Sequence, residues 1–97
     1  MGKRLGNGNG SQHEDLIEFP CKYEVKAMGL KSVRFEALVQ EIVSRHIGAT
    51  DLRATQSRSS RNDRYVSITC IVWVTSREQL ERIYGDLRDC PEVLMTL

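Results

Sequence analysis

The sequence is short of the residues that build catalytic and metal centres. It has two histidines and three cysteines, and no Cys-x-x-Cys spacing occurs. Zinc and redox sites usually need such clusters, so we predict no metal ion and no cofactor. No nucleophile with a neighbouring base can be recognised, which argues against an enzyme. The odd number of cysteines (Cys21, Cys70 and Cys90) favours free thiols in a reducing compartment over a disulfide framework.

Long hydrophobic runs and an excess of charge of one sign are absent as well. No stretch approaches the ~20 apolar residues of a membrane span. Lys3 and Arg4 are not followed by the apolar run of a secretory signal. The net charge of +1 gives no overall attraction to nucleic acid or to an anionic membrane. We therefore predict a cytoplasmic protein that makes no membrane contact.

A chain of 97 residues is long enough for one domain. Residues 1–15 are mainly Gly, Asn, Ser, Gln and charged residues, with Leu5 alone to bury, and this composition predicts a disordered tail. Residues 16–97 carry the apolar patterns and predict the folded domain. The domain begins with an apolar segment, residues 16–20, whose Pro20 suits the position just before a strand.

Residues 65–74 form the longest apolar run and predict the central strand. The alternate residues on one side of this strand are all apolar: Val66, Ile68, Cys70, Val72 and Val74. The residues on the other side are a mixture of polar and apolar side chains: Tyr65, Ser67, Thr69, Ile71 and Trp73. This alternation is typical of a sheet that helices cover on one side only. Cys70 is expected to be a packed, unreactive thiol.

A strand and a helix are predicted before the central strand. Residues 21–28 alternate between apolar and charged side chains, and Gly29 is expected to end this strand. Helical spacing then relates Phe35, Leu38, Val39, Ile42 and Val43. Ser32 is the predicted N-cap of that helix, and Gly48 is the predicted residue just beyond its C-terminus.

A polar edge strand and a hairpin loop connect this helix to the central strand. Residues 51–57 alternate weakly and predict the edge strand. Its Leu52, Ala54 and Gln56 are expected to share a face. Residues 58–64 predict the loop of an antiparallel hairpin. The loop contains the basic residues Arg58, Arg61 and Arg64, which we interpret as solvated charges that discourage edge-to-edge aggregation.

A second helix and a last strand follow the central strand. Overlapping capping boxes begin at Thr75 and Ser76 and predict the start of the helix. Pro91 is expected to end it, and Gly85 within it is expected to let the helix lie close to the sheet. Residues 92–97 predict the last strand. In this strand Leu94 and Thr96 are expected on the open face, away from Val93, Met95 and Leu97.

The order β-α-β-β-α-β predicts an α+β, ferredoxin-like two-layer sandwich. Right-handed crossovers place both helices on one face of an antiparallel four-stranded sheet with strand order 4-1-3-2. The first and third strands are expected to be the central pair and to run parallel to each other. The open face is then expected to carry Lys22, Glu24, Lys26, Ser67, Thr69, Ile71, Trp73, Leu94 and Thr96.

Several segments resemble the small bacterial proteins typified by YbeD. They are residues 16–20, the strand ending in Met28 and Gly29, the Ser59-Ser60 hairpin, residues 66–69 and residues 93–97. The resemblance covers residues 16–97. It implies a ferredoxin-like fold similar to the ACT regulatory domains, and it implies no established biochemical activity.

ACT domains bind small effectors near the loop after their first strand. The resemblance places such a site at Met28, Gly29, Leu30, Lys31 and Ser32. There the free amides of a helix amino terminus and the charge of Lys31 are suited to a carboxylate or another anion.

The leading functional prediction is a non-catalytic regulatory or protein-interaction module. Apolar residues on the open face, namely Ile71, Trp73 and Leu94, would bind a protein partner or a second copy of the chain. Two alternatives stay open: a small anion or an amino acid at the loop after the first strand, and weak RNA binding through Arg58, Arg61 and Arg64. The central strand lacks the basic-Gly-aromatic signature of RNA-recognition modules, which disfavours nucleic acid.

Overall fold

The computed structural model describes residues 17–97, which form a four-stranded sheet with two helices on one face. In chain order the elements are β1 (Cys21–Leu30), α1 (Phe35–Ser44), β2 (Leu52–Ser59), β3 (Tyr65–Val74), α2 (Arg77–Asp89) and β4 (Met95–Thr96). The strand order is β2-β3-β1-β4, so the predicted ferredoxin-like α+β fold is confirmed. The tail predicted for residues 1–15 lies outside the described residues.

The two central strands, β1 and β3, run antiparallel. Their pairing extends from Cys21 opposite Val74 to Leu30 opposite Tyr65. The prediction of a parallel central pair is therefore wrong. The helical crossover gives β1 and β2 the same direction, and the hairpin then reverses β3 relative to β2. It follows that β3 also opposes β1.

The β3 side chains that face the helices form the centre of the core, as predicted. Its five side chains (Val66, Ile68, Cys70, Val72 and Val74) are at most 5% exposed. Side chains from both helices complete the core: Phe35, Val39, Ile42, Val43, Leu80, Ile83 and Leu87. Burial raises the pKa of the Cys70 thiol to about 11, so this thiol stays protonated at neutral pH.

Two glycines have roles that differ from the predicted ones. Gly29 does not end β1 but lies within it, buried and opposite Val66. A Cβ atom at Gly29 would lie 2.5 Å from the carbonyl oxygen of Glu92 and 2.6 Å from Cε1 of Phe35. The close approach of these two segments is what requires a glycine. Gly85, which was expected to allow close packing of α2, has open space around its Cβ position, so that prediction is wrong.

Helix α1 begins and ends without the predicted caps. Its N-cap is Arg34, whose side chain makes no capping hydrogen bond. Ser32 lies in the preceding turn, where its carbonyl oxygen accepts a hydrogen bond from the N–H of Phe35 at 3.4 Å. The C-cap is Arg45, with a right-handed φ of −62°, so this end needs no glycine. Gly48 lies farther along and donates its N–H to the Asp51 carboxylate at 3.2 Å.

Helix α2 begins with the predicted cap. The hydroxyl of Ser76 accepts a hydrogen bond from the N–H of Gln79 at 3.1 Å. The Gln79 side chain accepts from the N–H of Thr75 at 2.7 Å and donates to the carbonyl oxygen of His46 at 2.7 Å. This glutamine therefore also links the start of α2 to the end of α1. The helix ends at Asp89, as expected for a following X-Pro pair.

The edge strand β2 contains a β-bulge. Leu52 lies opposite Val72 and Ala54 lies opposite Ile71, so Arg53 is an extra residue. Because of the bulge, Leu52 faces the helices while Ala54 faces the open side. The predicted shared face of Leu52, Ala54 and Gln56 is therefore wrong for Leu52. Gln56, opposite Thr69, faces the open side.

The last strand is shorter than predicted and its faces are exchanged. β4 contains only Met95 and Thr96. Thr96 lies opposite Ala27 on the helix-covered face, and Met95 lies opposite Met28 on the open face. The residues just before β4 form a turn, in which the N–H of Val93 donates to the carbonyl oxygen of Cys90 at 3.0 Å. This turn determines which side of the sheet each β4 residue faces. The prediction that placed Thr96 on the open face is wrong.

Candidate functional site

The fold separates the three residues of the predicted partner surface. Ile71 and Trp73 lie on the open face of β3, where both are half-buried. Arg53, the bulge residue, holds its guanidinium carbon 5.5 Å from the centroid of the Trp73 ring. Leu94 is 58% exposed and lines a groove at the end of the sheet. The three residues therefore do not form one apolar patch.

We call the groove that contains Leu94 the apolar groove. It lies where β1 ends, α1 begins and the turn before β4 passes, and its volume is about 350 Å³. Its lining consists of Leu30, Ser32, Arg34, Phe35, Leu38, Pro91, Glu92 and Leu94. Phe35 is the buried part of this lining, with 2% exposure. Leu30 and Leu94 are the exposed apolar side chains of the same lining.

The predicted effector loop is divided by the fold. Met28 lies in β1 opposite Ser67, on the open face, and Gly29 is buried. Leu30 and Ser32 line the apolar groove. The Nζ of Lys31 lies 2.6 Å from a carboxylate oxygen of Asp63, so this charge is already paired. The five residues do not converge on a single site.

Exposed apolar side chains cluster at the apolar groove. Leu30 is 54% exposed and Leu94 is 58% exposed, and both line it. Val33 is fully exposed on the turn between Ser32 and Arg34, two lining residues. Single exposed apolar residues are common on protein surfaces, whereas a cluster around a groove is typical of an interaction site.

Four cationic side chains, which we call the basic rim, lie in the segment between β1 and α1 and in the hairpin loop, and Arg34 among them lines the groove. They are Lys31, Arg34, Arg61 and Arg64. The loops are joined by a hydrogen bond of 3.0 Å from the N–H of Lys31 to the carbonyl oxygen of Arg64. Two carboxylates oppose these charges: Asp63 next to Lys31, and Glu92 at 3.8 Å from Arg34. The rim therefore keeps an excess of positive charge.

The ion pair between Asp63 and Lys31 changes the pKa of the Asp63 carboxyl group. A hydrogen bond from Lys31, and then its charge, hold the pKa of Asp63 below the usual value. Asp63 has a positive φ of 62°, a conformation that aspartate tolerates better than most residues. The hairpin loop thus presents its carboxylate to Lys31, just after β1, and leaves Arg61 exposed.

A second concavity, which we call the open-face pocket, lies on the uncovered side of the sheet. Its volume is about 480 Å³. Its lining consists of Glu24, Lys26, Gln56, Ser57, Arg58, Ser67, Thr69 and Leu97. Arg58 belongs to β2 and lines this pocket, while Arg61 and Arg64 lie in the hairpin loop. The three arginines predicted as one basic loop are therefore divided between two surfaces.

Within residues 17–97, no catalytic constellation is recognisable. Nε2 of His46 lies 2.7 Å from Oδ2 of Asp86, which also lies 3.8 Å from Arg45. This set links the two helices and contains no nucleophile. No three His, Cys, Asp or Glu side chains of the described part could hold a metal ion. Cys21, Cys70 and Cys90 are free thiols, and none of the described helices is long and apolar enough to cross a membrane.

The model of a protein family of unknown function, DUF493, matches residues 14–97. The chain belongs to this family. A UPF0250 protein of Nitrosomonas europaea is 42% identical over 84 residues, which cover 87% of this chain and 97% of the relative. A UPF0250 protein of Pseudomonas aeruginosa is 37% identical over 82 residues, which cover 84% and 88%. The resemblance to small bacterial YbeD-like proteins is thereby confirmed, and these DUF493 relatives carry no named activity.

Two solved structures share the fold of this DUF493 chain. The protein HP0495 of H. pylori has a TM-score of 0.69 at 14% identity, with 96% of this chain and 98% of the other covered. The ACT domain of a GTP pyrophosphokinase from Chlorobium tepidum has a TM-score of 0.63 at 13% identity, with 79% and 83% covered. The ACT-like, ferredoxin-like architecture is confirmed by these similarities.

Many residues of these surfaces were not predicted as site residues, and three of them show why. For Val33 the sequence does indicate an exposed apolar side chain, since it lies between two polar residues in a turn. Arg53 had none, because nothing in a period-two pattern shows where a bulge inserts a residue. Lys26 was predicted to be on the open face, but its place beside Arg58 depends on the register of three strands.

Proposed function

We propose that this DUF493 protein is a non-catalytic interaction module that binds an acidic protein segment in the apolar groove. The observation that carries the proposal is the cluster of Leu30, Val33 and Leu94, all exposed around one groove. The excess of positive charge on the basic rim selects an acidic segment over a basic one. We also infer a cytoplasmic location, which the free thiols of Cys21, Cys70 and Cys90 support.

The expected affinity is modest. Leu30 and Leu94 are 54% and 58% exposed and Val33 is fully exposed, which together amounts to roughly two complete side chains. Burying an aliphatic side chain contributes about 1.5–3 kcal/mol, so these three supply about 3–6 kcal/mol before the costs of association. Such a site suits a regulatory contact that forms and dissociates readily. The basic rim would raise the association rate and the specificity more than the affinity.

The test is a selection of random displayed peptides on the immobilised full chain. We expect enriched peptides that combine Asp or Glu with Leu, Ile, Phe or Trp. A synthetic peptide of the enriched sequence should bind the chain in solution, and added salt should weaken that binding because the rim charges are exposed.

Two leucines of equal exposure provide a matched pair of variants. Leu94 lines the groove, whereas Leu97 lies outside it, and each is 58% exposed. Leu94→Asp should weaken binding of the selected peptide by about tenfold or more, the effect of losing a buried leucine and adding a repelling charge. Leu97→Asp should leave it nearly unchanged. Equal effects of the two variants, or enrichment of basic peptides, would refute the proposed site.

A further inference from the structure

The open-face pocket contains a convergence of hydrogen-bond donors that the proposed interaction does not use. Gln56, Thr69 and Lys26 lie opposite one another across β2, β3 and β1. Arg58 and Ser67 form the next row toward the hairpin loop. Neighbouring strands are ~4.8 Å apart and alternate residues ~7 Å apart, so the five side chains arise from one small area of the sheet. All five line the same pocket.

Most of these donors have no partner inside the described part of the protein. Across residues 17–97, no side-chain hydrogen bond or ion pair involves Arg58, Gln56, Ser67 or Thr69. Lys26 has only a distant contact with Glu24, at 4.0 Å. In contrast, Lys31 is committed to Asp63 at 2.6 Å. These five side chains therefore present two cations, two hydroxyls and one amide to a ligand, and the Glu24 carboxylate is the opposing charge in the same lining.

From this set we propose that the open-face pocket binds the phosphate group of a small phosphorylated molecule. Arginine supplies a planar pair of N–H donors and lysine a compact charge, and both are common ligands of phosphate. The hydroxyls of Ser67 and Thr69 and the amide of Gln56 supply neutral donors. A phosphate monoester carries close to two negative charges at neutral pH and three oxygens that accept hydrogen bonds, so it suits these donors and the positive charge that Arg58 and Lys26 keep after Glu24 offsets one of them.

The lining of the pocket favours a small molecule over a nucleic acid. The carboxylate of Glu24 also lines the pocket and offsets one of its two cations, so the remaining positive charge suits one phosphate group and not the successive phosphates of a polynucleotide. No aromatic side chain lines the pocket, although stacking on aromatic rings supplies much of the affinity for single strands. Leu97 lines another side, and its carbonyl oxygen accepts a hydrogen bond from Tyr84 at 3.3 Å. The volume of about 480 Å³ suits a metabolite-sized ligand.

Two-dimensional amide NMR of the full chain tests this site. The titrants are inorganic phosphate, glycerol 3-phosphate, glycerol and a twelve-nucleotide RNA, all at one ionic strength set with sodium chloride. Glycerol 3-phosphate and inorganic phosphate should shift the amide resonances of Ser67, Thr69 and Arg58, and glycerol should not. Tighter binding of glycerol 3-phosphate than of inorganic phosphate identifies a phosphorylated molecule as the source of the group.

Charge-removing variants supply the control. Arg58→Gln and Lys26→Gln should each weaken binding by at least about fivefold, somewhat less than the roughly tenfold lower range for a hydrogen bond to a charged group because the site is partly exposed. Lys22→Gln should change it less than about twofold, because Lys22 is on the same face of β1 but opposite Trp73, outside the pocket. Equal effects of the three variants, or shifts caused by the RNA alone, would overturn the proposal. Its outcome is independent of the apolar groove.

Discussion

Replacement of Gly29 by alanine tests how tightly the C-terminal turn is packed against the first strand. In an ordinary strand this change stabilises a protein, because glycine loses more conformational freedom on folding than alanine does, by about 0.5–1 kcal/mol. Gly29 is not in an ordinary position. Its Cβ site is 2.5 Å from the carbonyl oxygen of Glu92, and Cε1 and Cζ of Phe35 are 2.6 Å and 2.7 Å away. The expected sign of the change is therefore reversed.

The magnitude follows from how far these atoms must move. Contacts of this kind are normally about 3.5–4 Å, so each neighbour of the new methyl group is roughly 1 Å too close. The Glu92 atom belongs to the backbone and the Phe35 ring is 2% exposed, so neither can rotate away. Overpacking of this kind costs about 1–3 kcal/mol. Because neither neighbour can move away, the cost lies in the upper half of this range, and subtracting the gain from the unfolded state leaves an expected loss of about 1–2 kcal/mol.

Thermal and urea unfolding followed by circular dichroism measure this loss. A loss of about 1–2 kcal/mol corresponds to a melting temperature lower by roughly 4–16 °C for a domain of this size. Gly85→Ala is the matched control, because open space surrounds its Cβ position in α2 and alanine favours helix by about 1 kcal/mol. It should raise the melting temperature. If Gly29→Ala were as stable as the unchanged protein, the close packing of Glu92 and Phe35 on Gly29 would be refuted.

Three further predictions concern the core, the open face and a helix cap. The Cys70 thiol has a pKa of about 11 when folded and 9.0 when unfolded. The part of the unfolding free energy that comes from this difference is present below pH 9 and should be lost as the pH rises toward 11. Urea unfolding of Cys70→Ala should therefore show a flatter pH dependence. If Trp73 mediates a homodimer, light scattering should show a dimer that Trp73→Ala converts to monomer; a monomeric unchanged protein would contradict this. Ser76→Ala should lower the unfolding free energy by about 1 kcal/mol in urea titrations, whereas the exposed Thr50→Ala should not.

The parts of the fold that were predictable from the sequence are those with a local cause. The alternation in β3 assigns each side chain to a face, and the structure buries Val66 through Val74 on the predicted side. The cap at Ser76 and the stop before Pro91 depend on groups a few residues apart, and both are present. A right-handed crossover then leaves few ways to order the strands. Fold and helix positions therefore followed from short-range chemistry.

The functional surfaces were harder to predict because they depend on long-range geometry. The bulge at Arg53 changes the face of every following β2 residue relative to Leu52, and no periodicity reveals it. Leu94 was expected beside Trp73, but the turn before β4 exchanges the faces of the last strand and directs Leu94 into the apolar groove. Gly29 looked like a strand end, whereas its role comes from Glu92, 63 positions later in the sequence.

The two proposed surfaces differ in chemistry because β1 changes character along its length. On its open face the strand first carries charged residues, of which Lys26 lies opposite Thr69 of β3, and then apolar Met28 and Leu30. The polar part forms the open-face pocket and the apolar end forms part of the groove. No residue lines both. A variant such as Arg58→Gln or Leu94→Asp therefore removes one surface and leaves the other intact, so each proposal can fail without the other.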